Sequence, residues 1–335
     1  MRAIAQFEFG SADVLRVCDM PMPTLRPHDV LVRVAATSVN PADLRARRPS
    51  SARSIAREFP LVLGYDFSGS IVELGSKVAG WQVGDEVIGC PSLMRQGANA
   101  EFIAVDHRVI ARKPKALTHV EAASLPLVGL TAWGALVDRA NLREDQTVLI
   151  HGGAGGVGHV AAQLVQLLNA RPVVTCGSSQ SLAFCRDRLG LNTCLDYRAE
   201  DYADRLLEST QGRGFDVALE TVGGDNMNVT MSAMAPLSQV VCIVPSAIDG
   251  LRSGAFMKSI TVHYNMMTAP LEYERQPEKL GENLATLAYL VEQGQLRPVV
   301  DRVWPVSEMA VAHKALEAGG VTGKLAIDVA DGWLN

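Results

Sequence analysis

The sequence predicts an α/β protein in which a doubly wound, six-stranded parallel sheet is inserted into a β-rich unit whose two halves flank it. Three observations predict this. Residues 1–120 read as short strands broken by Gly, Pro and Asp; the middle of the chain alternates apolar strand-like runs with helical runs; and the stretch from about residue 270 onward is too short for a domain of its own. At 335 residues the chain suggests two domains, with boundaries predicted at 1–122 plus 269–335 for the β-rich unit and 123–268 for the other.

The elements follow in order. "DVLVRVAATSV", "FSGSIVELG", "EVIGC" and "EFIAVDHRVIARKP" supply the early strands. Near residue 120 the texture becomes Ala/Leu-rich in "THVEAASLPLVGLTAWGALVDRA", where Thr118 is placed as an N-cap with Glu121 three residues on, a capping-box spacing. Strand "TVLIHG" then leads to helix "VGHVAAQLVQLLNA", "PVVTCG" to "SLAFCRDRL", "TCLDY" to "YADRLLEST", and "DVALETV" to "NMNVTMSAM". "QVVCIVPS" and, after a loop, "SITVHYN" complete six strands. Strands apolar on both faces and separated by helices form a parallel sheet covered on both sides, a Rossmann-type arrangement. The chain closes with the amphipathic helix "EKLGENLATLAYLVEQGQL", then "VVDRVWPV", a helix near "EMAVAHKALEAG" and the strand "GKLAIDVA".

Composition narrows the function classes. With 48% hydrophobic residues, 20% charged and a net charge of -5, the chain lacks the dense basic face that non-specific nucleic-acid binding needs. No uninterrupted apolar run reaches the ~18 residues of a membrane span, and "MRAIAQFEFGSADV" has no apolar signal-peptide region. A cytoplasmic protein with neither a membrane nor a nucleic-acid partner is expected. Cys18, Cys90, Cys176, Cys185, Cys194 and Cys242 show no close pair in sequence, so reduced, buried thiols are expected rather than a disulfide framework or a zinc cluster. The seven histidines are equally dispersed and read as structural or surface residues.

"VLIHGGAGGVGHVAAQ", residues 148–163, carries the strongest chemical signal. Gly153-x-Gly155-x-x-Gly158 follows a strand and opens a helix with apolar Val157, Val160, Ala161, Leu164 and Leu168, the context a dinucleotide fingerprint requires. Glycines let backbone N–H groups approach a pyrophosphate, and the helix N-terminus adds partial positive charge. Gly153, Gly155, Gly156, Val157 and Gly158 are therefore predicted to bind a dinucleotide. The second strand ends "VTCGSSQS", with Ser178 and Ser179 where an NAD site usually carries a carboxylate, which favours NADP. The same residues also read as a plain turn with an N-cap, and both readings can hold. Arg186, Arg188 and Arg198 are the basic residues nearby.

Together these motifs resemble the medium-chain dehydrogenase/reductase superfamily, and within it the zinc-independent quinone oxidoreductase branch, across nearly the whole chain. "QTVLIHGGAGGVGHVAAQLVQ" is similar to that branch's nucleotide signature, "LGYDFSGSIVELGSKVAGWQVGDEV" to its first-domain core, "LPLVGLTAW" to its linking helix and "SVNPADLRAR" to its Asn-Pro-x-Asp segment. The resemblance implies a GroES-like catalytic domain around the Rossmann insertion. Where zinc-dependent members carry their catalytic ligands, this chain has Asn40, Tyr65 and Leu127, and after Cys90 "PSLMRQGANAEF" replaces the four-cysteine structural lobe. Without a Lewis acid to activate an alcohol, the implied reaction is hydride transfer from NADPH to a small electrophilic acceptor, a quinone or an α,β-unsaturated carbonyl.

By the same resemblance Asn40 and Thr131 border the nicotinamide and its ribose, and Asp43 supports that loop. Tyr65 is either a donor to the acceptor oxygen or a buried tyrosine with a satisfied hydroxyl. Tyr197 stacks near the adenosine phosphate, and the strand-end segments 220–223, 244–246 and 264–266, with Val222, Val244, Pro245, Ser246 and Asn265, complete the groove. A homodimer paired through "SITVHYNMM" is also implied. The chain departs from the pattern in two places. "LRARRPSSARSIARE" gathers Arg45, Arg47, Arg48, Arg53 and Arg57, either a basic patch that attracts anionic substrates or the cofactor's phosphates, or a solvated loop or helix face whose arginines pair with Glu58 or Asp residues. "EAGGVTGK" lacks the arginine some relatives set against the 2′-phosphate and offers only Lys324 as a loose substitute. An enoyl-thioester reductase and a non-catalytic NADPH-binding protein remain alternatives.

Overall fold

A computed structural model describes residues 1–49, 58–250 and 254–333. The chain divides into two units, Met1–Leu127 with Thr268–Asn335, and Val128–Met267.

Apolar runs in the first unit fold as β1 (Arg2–Gln6), β2 (Leu15–Asp19), β3 (Asp29–Val39), β4 (Leu61–Val62), β5 (Phe67–Leu74), β6 (Glu86–Gly89), β7 (Phe102–Asp106) and β8 (Ile110–Arg112). β1, β2 and β4 form a small antiparallel sheet. The larger sheet is built on β3, whose eleven residues are almost all buried and which pairs with both β5 and β7.

The second unit holds β9 (Thr147–Ile150), β10 (Arg171–Cys176), β11 (Thr193–Asp196), β12 (Phe215–Glu220), β13 (Met234–Cys242) and β14 (Thr261–Tyr264). They pair in parallel in the order β11-β10-β9-β12-β13-β14, the doubly wound sheet predicted from the sequence. The chain winds outward from β9 in one direction and from β12 in the other. Their carboxyl ends, at Ile150 and Glu220, therefore flank the switch point where ligands bind such sheets. β9 is buried along its whole length, as a central parallel strand must be. Leu149, Phe215, Met231 and Val240 are buried in the core on one side of the sheet, each large side chain contributing about 1.5–3 kcal/mol. On the helix Gly156–Leu167, Val160, Ala161 and Leu164 are buried as predicted, whereas Val157 at the first turn and Leu168 at the cap are only partly covered.

The chain then returns to the first unit with β15 (Val300–Pro305) and β16 (Lys324–Asp328). β16 runs antiparallel to β3 with Leu325 opposite Val39, which sets Lys324 beside the end of β3 and the residue after it, Asn40. The helical stretch His119–Arg139 is long and apolar enough to pass for a membrane span by length and composition, but 67% of its apolar window is buried inside the protein.

Candidate active site

The glycine loop is built by close packing. Gly152 takes a left-handed conformation (φ +67°), and Gly153 lies so near β10 that a Cβ would stand 2.5 Å from Val174. A Cβ on Gly158 would stand 2.1 Å from the Gly152 carbonyl oxygen, so helix and loop touch through bare backbone. Gly155 caps the helix in an extended conformation. The Gly153 N–H donates to Thr175 O at 2.9 Å, which pins the loop to β10. The N–H groups of Gly156, Val157 and Gly158 lie in the first helical turn, where no intrahelical acceptor reaches them, and they are the donors available to an anion. This cradle fits a dinucleotide pyrophosphate.

Beneath the loop lies a buried polar cluster that sequence reasoning missed. His151 at the end of β9 shares the Thr230 hydroxyl with Glu220, at 2.9 and 2.7 Å, and the two side chains approach to 3.7 Å. Glu220 also accepts from the N–H groups of Val222 (2.7 Å) and Gly223 (2.9 Å), and from Asn226 Nδ2 (2.8 Å). One carboxylate thus orders the strand-end loop that begins the opposite side of the switch point. Burial raises the Glu220 carboxyl, but His151 and the Gly223 N–H outweigh it and hold the group below the usual range. Burial lowers His151 despite Glu220 beside it. The signal available in sequence was the acid closing "DVALE", noted there only as a strand end.

At the end of β10, Ser178 caps the helix Ser179–Ala183, its hydroxyl accepting from Ser181 N at 3.1 Å. The plain-turn reading is therefore correct, and it leaves Ser179 exposed with no carboxylate in the turn. Tyr197, 49% exposed, packs its hydroxyl against Gly177, where a Cβ would stand 2.4 Å away. The Arg198 guanidinium lies 5.7 Å from the Tyr197 ring centre, which puts Arg198 at this strand end; Arg186 and Arg188 are exposed on the turn that follows the helix. Gly223 meets Val244 and Ser246, and Tyr264 donates its hydroxyl to Ser246 O at 2.7 Å, so the ends of β12, β13 and β14 converge. Val222 is 61% exposed and Pro245 is also exposed. Asn265 donates from Nδ2 to Thr131 O at 3.1 Å, joining two of the predicted residues.

In the first unit Asn40 enters a second buried cluster. Its Nδ2 donates to Asp66 Oδ2 at 2.7 Å, and its Oδ1 accepts from Lys324 Nζ. Lys324 also reaches Asp66 Oδ2 at 3.2 Å, while Ser38 Oγ (2.5 Å) and Leu127 N (2.6 Å) donate to the same carboxylate. With Asn40 0% exposed, its amide keeps one uncommitted N–H. Asp43 accepts from Asn40 N at 2.8 Å and Gly64 N at 3.0 Å, and burial pushes its carboxyl up to about 7. Asp43 thereby ties the backbone at Asn40 to that at Gly64.

Three expectations change. Lys324 is 3% exposed and engaged by Asn40, Val39 O and Asp66, so it is no phosphate clamp. Arg47 is fully buried and, with the exposed Arg48 (2.6 Å), pairs with Glu317; neither belongs to a free basic patch, and Arg47 is not on a solvated face paired with Glu58 or an Asp. Arg53 and Arg57 lie outside the described residues. Tyr65 is 1% exposed, which favours its reading as a buried tyrosine.

Comparison with known proteins matches residues 26–115 to the alcohol dehydrogenase GroES-like domain and residues 189–327 to the zinc-binding dehydrogenase family. The chain is 32% identical to the mitochondrial NAD(P)H oxidoreductase RTN4IP1 of Danio rerio, over 96% of this chain and 89% of that protein. It also superposes on the quinone oxidoreductase of Coxiella burnetii with a TM-score of 0.85 and 32% identity, covering 98% and 99% of the two chains. The chain belongs to the quinone oxidoreductase-like branch of the medium-chain dehydrogenase/reductase superfamily. Within this superfamily it is also 31% identical to the 2-methylene-furan-3-one reductase of Solanum lycopersicum, over 98% of this chain and 79% of that protein. Among the described residues no group of three His, Cys, Asp or Glu could hold a metal ion, and Asn40 and Leu127 are both tied to Asp66.

Proposed function

We propose that this protein reduces a quinone or an α,β-unsaturated carbonyl with NADPH and without zinc. The observation that carries the reading is the dinucleotide loop at Gly152–Gly158; it is supported by the lack, among the described residues, of any group of three His, Cys, Asp or Glu placed to hold a metal ion. NADPH, when bound, supplies the hydride. Gly156, Val157 and Gly158 hold its pyrophosphate, and Ser178 and Arg198 receive the 2′-phosphate at a strand end without a competing carboxylate. Thr131 and Asn265 line the nicotinamide ribose, and Tyr197, Val222 and Val244–Ser246 line the groove. Asn40, held by Lys324 and Asp66 within the first unit, enters the proposal on the family resemblance alone.

With no Lewis acid, the acceptor must already be electrophilic, and its proton comes from water. The names of the relatives support that class: one is an enone reductase and another a quinone oxidoreductase. The buried Tyr65 counts against an enoyl-thioester reductase, which needs a placed proton donor. A homodimer paired through the sheet-edge strand β14, and a location in the cytoplasm, where six free cysteines stay reduced, belong to the same proposal.

The test is NADPH oxidation by the purified protein with quinones, enals and enoyl-CoA esters, each with and without a chelator. Turnover of a quinone or enal unchanged by chelation is expected. Loss on chelation with recovery on added zinc would overturn the zinc-free mechanism. Turnover of enoyl-CoA alone would establish the thioester reductase, and NADPH binding without any turnover the non-catalytic protein.

A further inference from the structure

Three cysteines that lie apart in the sequence come near one another inside the second unit. Cys176 closes β10, Cys185 sits in the widened π-helical turn Phe184–Arg188, and Cys194 lies in β11. The Cys176 and Cys185 sulfurs are 3.5 Å apart, and Cys194 lies on the neighbouring strand opposite Val174, two residues from Cys176. Cys176 and Cys185 are almost completely buried, whereas Cys194 is only partly covered. All six cysteines are free.

The position of Cys176 gives this cluster a consequence. Its S–H donates to Ser181 O at 3.5 Å, and Ser181 is the partner of Ser178 in the helix cap. Thr175, the residue before Cys176, accepts from the Gly153 N–H of the glycine loop at 2.9 Å. The end of β10 therefore joins the loop proposed for the pyrophosphate to the turn proposed for the 2′-phosphate. A disulfide needs sulfurs about 2.05 Å apart, so closing the 3.5 Å contact pulls Cys176 and the π-helical turn together and removes the S–H donor to Ser181.

We propose that Cys176, Cys185 and Cys194 form a redox modification site in which hydrogen peroxide generates a Cys176–Cys185 disulfide that loosens the NADPH site until a thiol reductant reopens it. The disulfide stands on the thiol geometry alone; only its effect on cofactor affinity rests on the NADPH reading. Peroxide first meets the partly exposed Cys194. Its thiolate attacks one peroxide oxygen, the O–O bond breaks, and Cys194 sulfenic acid and water result. The Cys185 sulfur then displaces the sulfenyl oxygen as a second water, forming a Cys185–Cys194 disulfide. Attack of Cys176 on Cys185 moves the bond to the Cys176–Cys185 pair and returns Cys194 to the thiol. In sum, two thiols lose two electrons and two protons, and one peroxide becomes two waters. Cys185 gives up its proton to the departing oxygen as it attacks, and Cys176, whose sulfur lies 3.5 Å from that of Cys185, then completes the exchange.

The experiment treats the whole purified protein with hydrogen peroxide, with and without NADPH, blocks free thiols with iodoacetamide, and maps disulfides by peptide mass. NADPH binding is then titrated by fluorescence before and after dithiothreitol. A peptide linking Cys176 to Cys185, protection of the pair by bound NADPH, and a Kd raised on the order of tenfold and restored by dithiothreitol are expected. Cys185→Ser should abolish the link and the Kd change, and Cys194→Ser should slow both. Oxidation confined to Cys18, or a mapped disulfide that leaves the Kd unchanged, would overturn the proposal. Should the reduced protein bind no NADPH, the cofactor reading falls, while the disulfide map still decides the thiol chemistry.

Discussion

Gly158 offers the sharpest test of the dinucleotide loop. In Gly158→Ala the new Cβ would stand 2.1 Å from Gly152 O and 2.8 Å from both Gly152 C and Gly153 Cα, all backbone atoms and all far inside ordinary 3.4 Å contact. No side chain can swing aside, so the loop itself must move. Alanine gains about 1 kcal/mol in helix propensity, against about 1–3 kcal/mol for overpacking. With backbone at 2.1 Å the cost lies at the upper end of that range, so strain wins by about 1–2 kcal/mol, and Tm should fall by roughly 1–3 °C for a chain of this length. The moved loop also misaligns the first-turn N–H groups. Losing one charge-assisted hydrogen bond of about 1.5–3 kcal/mol weakens NADPH roughly tenfold to hundredfold. Gly155→Ala separates the two effects, because its Cβ meets only Gly152 O, at 3.2 Å. That variant should keep the Tm of the cofactor-free protein and still bind NADPH more weakly, since the methyl group stands where the pyrophosphate approaches. Differential scanning fluorimetry and isothermal titration with NADPH measure both quantities. A Gly158→Ala protein with unchanged Tm and unchanged NADPH affinity would refute the packing argument.

Ser178→Asp keeps a good N-cap but brings a carboxylate to the 2′-phosphate, so the wild-type preference for NADPH over NADH, about tenfold to hundredfold or 1.4–2.8 kcal/mol, should collapse or invert; equal wild-type dissociation constants for the two cofactors would sink the assignment. Burial lifts the folded Asp43 carboxyl to about 7 from an unfolded 3.8, so its stabilising contribution is complete below about pH 4 and is lost as pH rises through 7. Urea unfolding should show stability declining over that window by a few kcal/mol, about 1.4 per pKa unit, with a flatter profile in Asp43→Asn; identical slopes in the two proteins would show that Asp43 titrates normally. Tyr65→Phe should keep kcat/KM within about threefold while costing about 1 kcal/mol of stability, and a hundredfold loss of kcat at unchanged Tm would instead make Tyr65 the proton donor.

Much of this protein is written in short-range pattern. Six apolar strands spaced by helices determine the parallel sheet, because a strand buried on both faces carries its signature in its own residues. The glycine loop, the Thr118–Glu121 capping box and the Ser178 cap were likewise legible, since each is closed by residues within a few positions of one another. The residues that the resemblance sets at the zinc-ligand positions, Asn40, Tyr65 and Leu127, could be read one at a time. Tertiary structure alone decided which distant side chains share a buried space. Lys324 reaches Asn40 across 284 residues because β16 pairs with β3 in one register, and a lysine in "GKLAIDV" carries no local mark of that partner. Arg47 looks like its exposed neighbour Arg48 in sequence, yet it is buried and bonded to a helix 270 residues on. Cys176 and Cys185 show no metal or disulfide spacing and still meet, because the helical turn after β10 brings Cys185 back against the end of that strand. Burial and partner choice follow from strand register and helix packing, which the whole chain sets together, whereas periodicity and caps are settled within a turn or two of backbone.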